Sequence, residues 1–309
     1  MNEATNPKNA SYGGNRTPTS TARVGVVGTG RMGAAFAANL LEDGFEVVLF
    51  DRDRRKAEAA AQGLGVSSDQ WESLSSCDIV ISMVPDDAAF DDAASHLRMV
   101  LKVNAVHISM STISPSAART AALLHEACGQ RFLSAPVLGN PDLAAARELF
   151  ILSAGSADAL ETCVPVLQRL GQRVFQLGSK PELANVFKLA GNVLTASTMQ
   201  SLGEVLAFLN KAGIDPHVSF TVLTQSLFDG RVHKAYGGKI VDQRYSPPGM
   251  PVPLGIKDLR LALTHAEALK TPMPVASLVR DRLVAASARG WDDLDWSVLG
   301  KLAEACANT

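Results

Sequence analysis

Paired cysteines, dense blocks of basic residues and long hydrophobic runs are all missing from this chain of 309 residues. Its four cysteines, Cys77, Cys128, Cys163 and Cys306, are scattered and form no Cys-x-x-Cys pair. This pattern is typical of free thiols in a reducing compartment, and it argues against a disulfide framework or a zinc site. The six histidines show no His-Glu-x-x-His spacing either, so we expect no catalytic metal held by the protein.

The charge balance and the apolar runs limit the classes of partner. The formal net charge is −2 at pH 7, and without a basic patch a nucleic acid is not the expected partner. No apolar run approaches the about 20 residues that span a bilayer, and residues 1–22 lack the apolar core of a signal peptide. We therefore expect a small-molecule partner, no membrane contact and a cytoplasmic location.

The pattern of apolar residues predicts a tail followed by two domains. Residues 1–21 are polar without apolar periodicity, which is typical of a flexible tail. In residues 22–181, strand-like runs alternate with helical patterns, which predicts an α/β domain with a doubly wound, mostly parallel sheet. The strand-like runs are 24–27, 45–50, 77–85, 105–110, 131–139, 149–155 and 173–178. Residues 182–309 predict an all-α domain that opens with a long helix and contains a proline-rich loop at 246–253.

A glycine-rich motif follows the first of these strands. Gly28, Gly30 and Gly33 have the spacing G-x-G-x-x-G, in which the glycines permit a tight turn, the approach of a pyrophosphate and close packing of the next helix. The free N–H groups at the start of that helix bind phosphates. The second strand ends at Asp51, about 20 residues further on, where a ribose-binding carboxylate is expected. We predict a Rossmann-type dinucleotide site, and the alternative is a purely structural glycine turn.

The charges around Asp51 leave the choice of dinucleotide open. Asp51 would accept a hydrogen bond from the ribose 2′-hydroxyl of NAD, whereas Arg52, Arg55 and Lys56 could bind the 2′-phosphate of NADP. The same cations would also suit the solvated start of a helix. We favour NADPH, because three cations lie near one site, without excluding NADH.

Further candidates follow the later strands, since ligands of open α/β sheets bind beyond the carboxyl ends of the strands. This placement puts Met83, Val84 and Pro85 along the cofactor groove. After the next strand, Ser111 and Thr112 are expected to have hydroxyls that are free for a ligand.

Lys188 and Asn192 are the candidate catalytic pair. They lie four residues apart in the long helical pattern and therefore share a face. The neighbours of Lys188 are mainly apolar, so desolvation would lower its pKa toward the operating pH and let it donate a proton. Asn192 could orient it or hold a substrate oxygen. The alternative is a surface lysine that extends its ammonium group into solvent.

Six short segments of this sequence match one known family. They are Gly28-Thr-Gly-Arg-Met-Gly33, Met83-Val-Pro85, Ser111-Thr-Ile-Ser-Pro115, Ala135-Pro-Val137, Lys188-x-x-x-Asn192 and Lys257-Asp-Leu-Arg-Leu-Ala262. Together they resemble the β-hydroxyacid dehydrogenases, which include 3-hydroxyisobutyrate dehydrogenase, tartronate semialdehyde reductase, glyoxylate/succinic semialdehyde reductase and the more distant imine reductases. The resemblance implies a Rossmann domain joined through a long helix to an all-helical domain like that of 6-phosphogluconate dehydrogenase. It also implies a dimer or tetramer with the helical domains packed together, and hydride transfer between nicotinamide and a carbonyl.

The resemblance implies roles for single residues as well. Lys188 is similar to the family's catalytic lysine, which protonates the carbonyl oxygen in reduction and accepts the proton in oxidation, and Asn192 is similar to its helper. Ser111 and Gly139 fall at substrate-binding positions. With the residues identified above, the expected cofactor-binding set is Gly28, Thr29, Gly30, Arg31, Met32, Gly33, Asp51, Arg52, Met83, Val84, Pro85, Thr112 and Lys257. The alternative for Lys257 and its neighbour Asp258 is a charge pair at a helix start.

One departure from the family pattern bears on the substrate. Hydroxyacid enzymes usually have Pro-Val-Ser-Gly-Gly, a turn whose donors hold the substrate carboxylate, whereas this chain has Pro136-Val-Leu-Gly-Asn140. Leu138 has no side-chain donor and Asn140 crowds the backbone, which favours a larger or less charged carbonyl substrate. We include Asn140 and Tyr236 among the candidate substrate-binding residues, although ordinary packing also accounts for Tyr236.

These observations predict an NAD(P)-dependent oxidoreductase acting on a small aldehyde or ketone acid, with Lys188 as general acid and base. The first alternative is the reduction of imines or uncharged ketones, which Leu138 and Asn140 favour. The second is a cofactor-binding module that has lost its chemistry, and the presence of both Lys188 and Asn192 argues against it. The expected assembly is a homodimer or homotetramer.

Overall fold

The computed structural model describes residues 22–307, so the predicted tail and the last two residues lie outside the described part of the chain. The described residues form two compact units. The first consists of residues 22–84, 88–111 and 119–184, and the second of residues 85–87, 112–118 and 185–307. The domain boundary between residues 181 and 182 stays a prediction.

A nine-stranded sheet lies at the centre of the first unit. Its strands are β1 (Arg23–Val27), β2 (Glu46–Phe50), β3 (Val66–Ser68), β4 (Ile79–Ser82), β5 (Val106–Ser109), β6 (Arg131–Ser134), β7 (Val137–Leu138), β8 (Leu149–Gly155) and β9 (Gly171–Gln176). They lie in the order β3-β2-β1-β4-β5-β6-β8-β7, with β9 paired to β8. Strands β1 to β6 run parallel to one another, and β8 runs antiparallel to β6 and β7. The predicted mostly parallel sheet is confirmed, and the order from β3 to β6 is that of dinucleotide-binding folds.

Helices alternate with these strands. They are α1 (Arg31–Glu42), α2 (Arg54–Ala61), α3 (Asp87–Val100), α4 (Pro115–Glu126), α5 (Pro141–Ala145) and α6 (Ala157–Leu170), with a 3-10 helix at Trp71–Leu74. The sequence patterns did not indicate β3, α5 or the 3-10 helix, which are all short. The strand expected over 131–139 is wrong in one respect, because it is interrupted between β6 and β7. Pro136 lies in the interruption, and it has no N–H to donate to a strand ladder.

Apolar side chains cover both faces of the sheet. Ile79 and Ile81 of β4 pack on one face with Phe36 of α1, whereas Val80 packs on the other face with Leu97 of α3. Because successive side chains of a strand point to opposite faces, a strand buried on both sides is apolar throughout. This explains why the continuous apolar runs predicted the central strands.

The second unit is helical, as predicted. It contains most of α7 (Glu182–Lys211), followed by α8 (Pro216–Thr224), α9 (Arg231–Val241), α10 (Val252–Ala268), α11 (Pro274–Ser287) and α12 (Val298–Ala307). Helix α7 has 30 residues, in agreement with the long pattern in the sequence. Helix α10 begins inside the loop expected at 246–253, since Pro253 fits the first turn of a helix, where its missing N–H is not needed.

A chain of buried polar side chains crosses one face of the sheet in the first unit. The amide nitrogen of Gln130 donates to two backbone carbonyls of residues 98–101, so its oxygen accepts from Nδ1 of His125 at 2.7 Å. Nε2 of His125 then accepts from Nδ1 of His107 at 2.9 Å, and Nε2 of His107 accepts from the hydroxyl of Ser82 at 2.9 Å. This arrangement places one proton on each ring, the neutral form that burial favours. Burial lowers the pKa of both histidines, and that of His107 lies well below its ordinary value.

We expect this histidine pair to make the first unit sensitive to acid. A histidine in the unfolded chain takes up a proton near pH 6.5, whereas His107 stays neutral in the fold. Because the unfolded chain binds more protons below that pH, the free energy of unfolding falls, by about 1.4 kcal/mol for His107 at about pH 5.5 and by less for His125. Amide hydrogen exchange in β5, compared at about pH 7.5 and 5.5, measures the loss.

The variant His107→Phe should be less stable than the wild type near neutral pH, because His125 and Ser82 each lose a partner. Its stability should nevertheless fall less on acidification. The exposed His96, 3.6 Å from Asp92, provides the control His96→Gln, which should keep the wild-type acid sensitivity. An equal loss in His107→Phe and the wild type would show that His107 is not the titrating group.

Candidate functional site

In the turn after β1, contacts with the protein's own backbone require glycine at two of the three motif positions. Gly28 has φ +86°, and an added Cβ would overlap the carbonyl oxygen of Met83. A Cβ at Gly33 would overlap the carbonyl oxygen of Gly28. A Cβ at Gly30, in contrast, would meet no described atom within 4 Å, so the chain itself does not exclude a side chain there. The open space in front of Gly30 fits the close approach of a pyrophosphate.

Helix α1 begins directly after Gly30, and among the described residues no side chain caps its first turn. The first N–H groups of a helix have no partner within the helix, and together with the helix dipole they favour a bound phosphate. The residues present therefore fit a dinucleotide, whose nicotinamide would supply or accept a hydride.

Asp51, at the end of β2, is bound to the glycine turn. Its Oδ2 accepts hydrogen bonds from the backbone N–H of Thr29 at 2.8 Å and from the Thr29 hydroxyl at 3.0 Å. Its Oδ1 accepts from the backbone N–H of Asp53 at 3.0 Å. A carboxylate has about four acceptor positions, so one remains for a ribose hydroxyl. The position of Asp51 in the sequence indicated the ribose contact but not its contacts with Thr29.

The basic residues beyond Asp51 differ in their contacts. Arg54 and Arg55 each pair with a neighbouring carboxylate, at 2.9 and 3.2 Å. Arg52 is exposed and, within residues 22–307, has no hydrogen bond or ion pair. Of the three cations predicted for a 2′-phosphate, Arg55 is paired, Lys56 is exposed and interacts with Asp53, and Arg52 is the one whose charge is fully available to a ligand.

Ser111 links the ends of two neighbouring strands. Its hydroxyl accepts from the backbone N–H of Val84 at 2.8 Å and donates to the carbonyl oxygen of Ser82 at 3.3 Å, and the residue is fully buried. The expectation that Ser111 has a free hydroxyl is therefore wrong, because its proton is used inside the fold. One acceptor position is left, and a substrate contact there stays a prediction.

The segment that departs from the family pattern is also used by the fold. Asn140 is the N-cap of α5, and its side-chain oxygen accepts from the N–H of Leu143 at 2.9 Å. Gly139 has φ +150°, where a Cβ would overlap the side chain of Leu149. The sequence analysis missed the cap, although an asparagine followed by Pro141 is a common helix start that could have indicated it. Substrate contacts of Gly139 and Asn140 stay predictions.

Tyr236, on α9, belongs to the apolar core of the second unit. Its ring packs edge-to-face on Trp296, with 5.9 Å between the ring centroids. Burial raises the pKa of its hydroxyl to about 12, so it is neutral near pH 7. The packing explanation for Tyr236 therefore applies, and its contact with a substrate stays a prediction.

Lys188 and Asn192, on α7, form a polar cluster with Asp258 of α10 in the second unit. Nζ of Lys188 donates to the side-chain oxygen of Asn192 at 3.0 Å, and Nδ2 of Asn192 donates to Oδ2 of Asp258 at 2.5 Å. Lys188 is only 8% exposed, which rules out the surface-lysine alternative. The apolar stretch around Lys188 predicted its burial, but nothing local in the sequence indicated that Asp258 would lie beside the pair.

Burial lowers the pKa of Lys188 to about 8. The nearby carboxylate of Asp258 acts against this shift, and the ammonium group of Lys257 adds to it. A lysine with this pKa exchanges its proton close to physiological pH, which suits a general acid and base. The cluster can therefore deliver a proton to an oxygen held against Lys188, or remove one.

Lys257, next to Asp258, holds two short segments of the second unit in place. Its Nζ donates to the carbonyl oxygens of Pro85 at 2.8 Å and Thr112 at 2.6 Å, and it lies 3.1 Å from Oδ1 of Asp258. Lys257 therefore fixes segments 85–87 and 112–118 against α10. A direct contact between Lys257 and a cofactor stays a prediction.

The loop before α10 depends on Asp295, which is fully buried. Its carboxylate accepts from Nζ of Lys239 at 2.9 Å, the N–H of Gly249 at 2.7 Å and the hydroxyl of Ser297 at 2.6 Å. These contacts hold the loop directly before α10, the helix that carries Lys257 and Asp258. No sequence pattern indicated the role of Asp295, because its partners are up to 56 residues away.

Two family models match the chain. The NAD binding domain of 6-phosphogluconate dehydrogenase matches residues 23–178, and the NAD-binding model of NADP-dependent 3-hydroxyisobutyrate dehydrogenase matches residues 183–303. The chain belongs to the β-hydroxyacid dehydrogenase family. As a family member it is an NAD(P)-dependent oxidoreductase acting on CH–OH groups, which confirms the predicted enzyme class and cofactor.

Relatives of this family cover almost the whole chain. The uncharacterized oxidoreductase YfjR of Bacillus subtilis is 34% identical over 90% of this chain and 99% of its own length. Glyoxylate/succinic semialdehyde reductase 1 of Arabidopsis thaliana is 31% identical over 89% of this chain and 96% of its own. The crystal structure of 3-hydroxyisobutyrate dehydrogenase from Salmonella typhimurium has a TM-score of 0.83 at 25% identity, covering 91% of this chain and 99% of that one. The predicted fold class, a Rossmann domain followed by an all-helical domain, is confirmed.

The described residues, 22–307, contain no group of three or more His, Cys, Asp or Glu side chains that could hold a metal ion. None of the helices in this range has the length and apolarity needed to cross a membrane.

Alanine at two glycines of the turn should separate binding from folding. Gly30→Ala should melt like the wild type, since its Cβ meets no described atom, yet bind NADPH about tenfold more weakly because the Cβ occupies the phosphate approach. Gly33→Ala should melt at a lower temperature, because its Cβ overlaps the oxygen of Gly28. Melting curves and titration of NADPH fluorescence measure the two effects. Wild-type affinity in Gly30→Ala would contradict a phosphate at this position.

Proposed function

We propose that this enzyme reduces small oxo acids to hydroxy acids with NADPH, and that Lys188 is its general acid in reduction and its base in oxidation. The observation that carries the proposal is the buried chain from Lys188 through Asn192 to Asp258, with the pKa of Lys188 at about 8. The substrate class follows the names of the relatives, a 3-hydroxyisobutyrate dehydrogenase and a glyoxylate/succinic semialdehyde reductase.

Each member of the cluster has a separate task in this proposal. An ammonium group has three N–H donors, so Lys188 keeps two beyond the one it gives to Asn192, and these can bind and protonate a carbonyl oxygen. Asn192 fixes the direction of the Lys188 side chain. Asp258 accepts from Asn192 and keeps the amide oxygen, rather than the amide nitrogen, turned toward Lys188.

Reduction of uncharged ketones or imines is the second candidate. Leu138 replaces a serine that would donate to a carboxylate, and Ser111 and Asn140 are committed to hydrogen bonds inside the fold. A panel of semialdehydes, uncharged ketones and cyclic imines distinguishes the two candidates. Turnover of semialdehydes favours the first, and turnover only of the uncharged compounds favours the second.

The preference for NADPH rests on Arg52. Asp51 already accepts three hydrogen bonds from Thr29 and Asp53, which offset its negative charge toward a 2′-phosphate. The exposed guanidinium of Arg52 follows directly and can form two parallel hydrogen bonds with a phosphate.

The assembly we propose is a homodimer formed through α7. Phe187, Leu194, Val205 and Phe208 are exposed and lie on one face of this helix, and Leu194 and Phe208 are each 70% exposed. The row is about 30 Å long at 1.5 Å per residue, which is more apolar surface than a monomer usually leaves open. A second copy offers the same row, as a two-fold interface requires.

We also propose a cytoplasmic location, which the absence of disulfides among the four cysteines supports.

Lys188→Met tests the proposed function, since it removes the acid but keeps an unbranched side chain. We expect kcat for reduction to fall about 10²- to 10⁴-fold, the usual range for general acid–base catalysis. The Kd of NADPH should stay almost unchanged, because Lys188 acts on the substrate oxygen. Lys211→Met, at the exposed end of the same helix, is the matched control. Full turnover in Lys188→Met would refute the assignment.

The pH dependence of kcat/KM in the wild type tests the same assignment. As the pH rises through about 8, kcat/KM should fall for reduction, which needs the ammonium form of Lys188, and rise for oxidation, which needs the neutral amine.

Arg52→Ala should lower the ratio of kcat/KM with NADPH to that with NADH by about tenfold or more, the usual effect of losing a hydrogen bond to a charged group. The control Arg54→Ala removes the same charge from a residue that pairs with Glu58 at 2.9 Å, and it should leave the ratio unchanged. Equal effects of the two variants would indicate a general electrostatic contribution instead of a bound 2′-phosphate.

Leu194→Glu places a charge in the middle of the exposed row on α7 and should convert the dimer into a monomer. The control Leu123→Glu changes a residue of α4 that is 61% exposed and lies outside the row. Sedimentation equilibrium measures both masses. A wild type that is monomeric at micromolar concentration would refute the proposed interface.

A further inference from the structure

Asn185 is a buried side chain on α7 with no function in the cluster described above. It is 0% exposed, and neither its amide nitrogen nor its amide oxygen has a hydrogen-bond partner among the described residues. Most buried polar groups in native structures are paired, and each exception needs an explanation. The amide of Asn185 requires a partner that the described part of the chain does not supply.

Helix geometry places Asn185 beside the catalytic pair. Residues 185, 188 and 192 are separated by three and four positions, the spacing that puts side chains on one face of a helix. At a rise of about 1.5 Å per residue, Asn185 lies about 4.5 Å from Lys188 along the helix axis. The two side chains are therefore near enough for one small molecule to contact both.

The amide of Asn185 also has free N–H donors, of which the rest of the cluster has few. Asn192 gives one of its two N–H groups to Asp258, and Lys188 gives one of its three to Asn192. Asn185 retains both N–H groups and its oxygen. The largest unused hydrogen-bonding capacity on this face of α7 is therefore next to the lysine.

Two of the other predicted substrate-binding side chains make hydrogen bonds inside the fold. The Ser111 proton is donated to Ser82, and the Asn140 oxygen caps α5, which leaves only the amide N–H groups of Asn140, while Leu138 has no donor. A carboxylate that the family usually binds through the segment containing Leu138 needs donors from elsewhere.

We propose that Asn185 is a substrate-binding residue whose amide N–H groups hold a carboxylate oxygen of the substrate, while Lys188 holds the carbonyl oxygen. The proposal rests on the proposed function and specifies its substrate class. The substrate is a small oxo acid with its carboxylate within about two carbons of the carbonyl, since the two residues lie less than one helical turn apart.

Asn185→Leu tests this assignment, because leucine has a similar size and no polar atom. We expect kcat/KM for glyoxylate and succinic semialdehyde to fall about 10- to 100-fold, as when a hydrogen bond to a charged group is lost. The values for acetaldehyde and butanal, which lack the carboxylate, should change little, and so should the Kd of NADPH. The melting temperature should not fall, since an unpaired buried amide is removed.

The matched control is Gln200→Leu. Gln200 lies on the same helix, is buried, and has an unpaired side-chain oxygen, but it is about 18 Å from Lys188 along the axis. The variant Gln200→Leu should leave kcat/KM unchanged for all four aldehydes.

Three outcomes would overturn the assignment of Asn185 alone: wild-type kcat/KM for the acids, an equal loss for acids and uncharged aldehydes, or weaker NADPH binding. The last would place the amide at the cofactor. Each of these presupposes that the wild type reduces an oxo acid and that Lys188→Met does not. A wild type that reduces neither acid would overturn the proposed function as well, so the two failures are distinguishable.

Discussion

The removal of Lys188 from water is the constraint on which the second unit depends. An ammonium group loses much of its hydration on burial, and it is tolerated only where hydrogen bonds and an opposite charge replace the lost water. Asn192 supplies the hydrogen bond and Asp258 the charge, across 66 residues of sequence. Helices α7 and α10 must therefore lie together, and the same burial lowers the pKa of Lys188 to about 8.

The elements that the sequence predicted well are those whose signals are local. Continuous apolar runs indicated the parallel strands, the 30-residue pattern indicated α7, and the glycine spacing indicated the turn after β1. The geometry explains why the motif contains these glycines. The backbone of the turn leaves no room for a side chain at Gly28 and Gly33, whereas it leaves room at Gly30. The apolar neighbours of Lys188 likewise indicated its burial. Each of these inferences needed only residues within about one helix or strand of each other.

What the sequence did not predict depends on contacts between distant residues. Ser111 was expected to have a free hydroxyl, but β4 and β5 end side by side and the hydroxyl is used between them. The strand expected over 131–139 is interrupted at Pro136, and Asn140 caps a helix too short to be recognised from periodicity. The partners of two carboxylates were also not predictable from the sequence. Asp51 and Asp295 each accept from backbone N–H groups of a loop, and which N–H groups they meet is decided by the fold and not by their neighbours in sequence.

The position of Asp295 has a consequence for the synthesis of the chain. Lys188 and Asn192 leave the ribosome about a hundred residues before Asp295, and α10 follows them with its starting loop still unsupported. A chain grows at about 5–20 residues per second, so the glycine turn can form many seconds before the acid–base cluster is held in place. During that interval the nascent second unit exposes the apolar surface of α7 and α10. Truncation before Asp295 would leave the enzyme permanently in a state of this kind, with an intact dinucleotide turn and a loop before α10 that lacks its support.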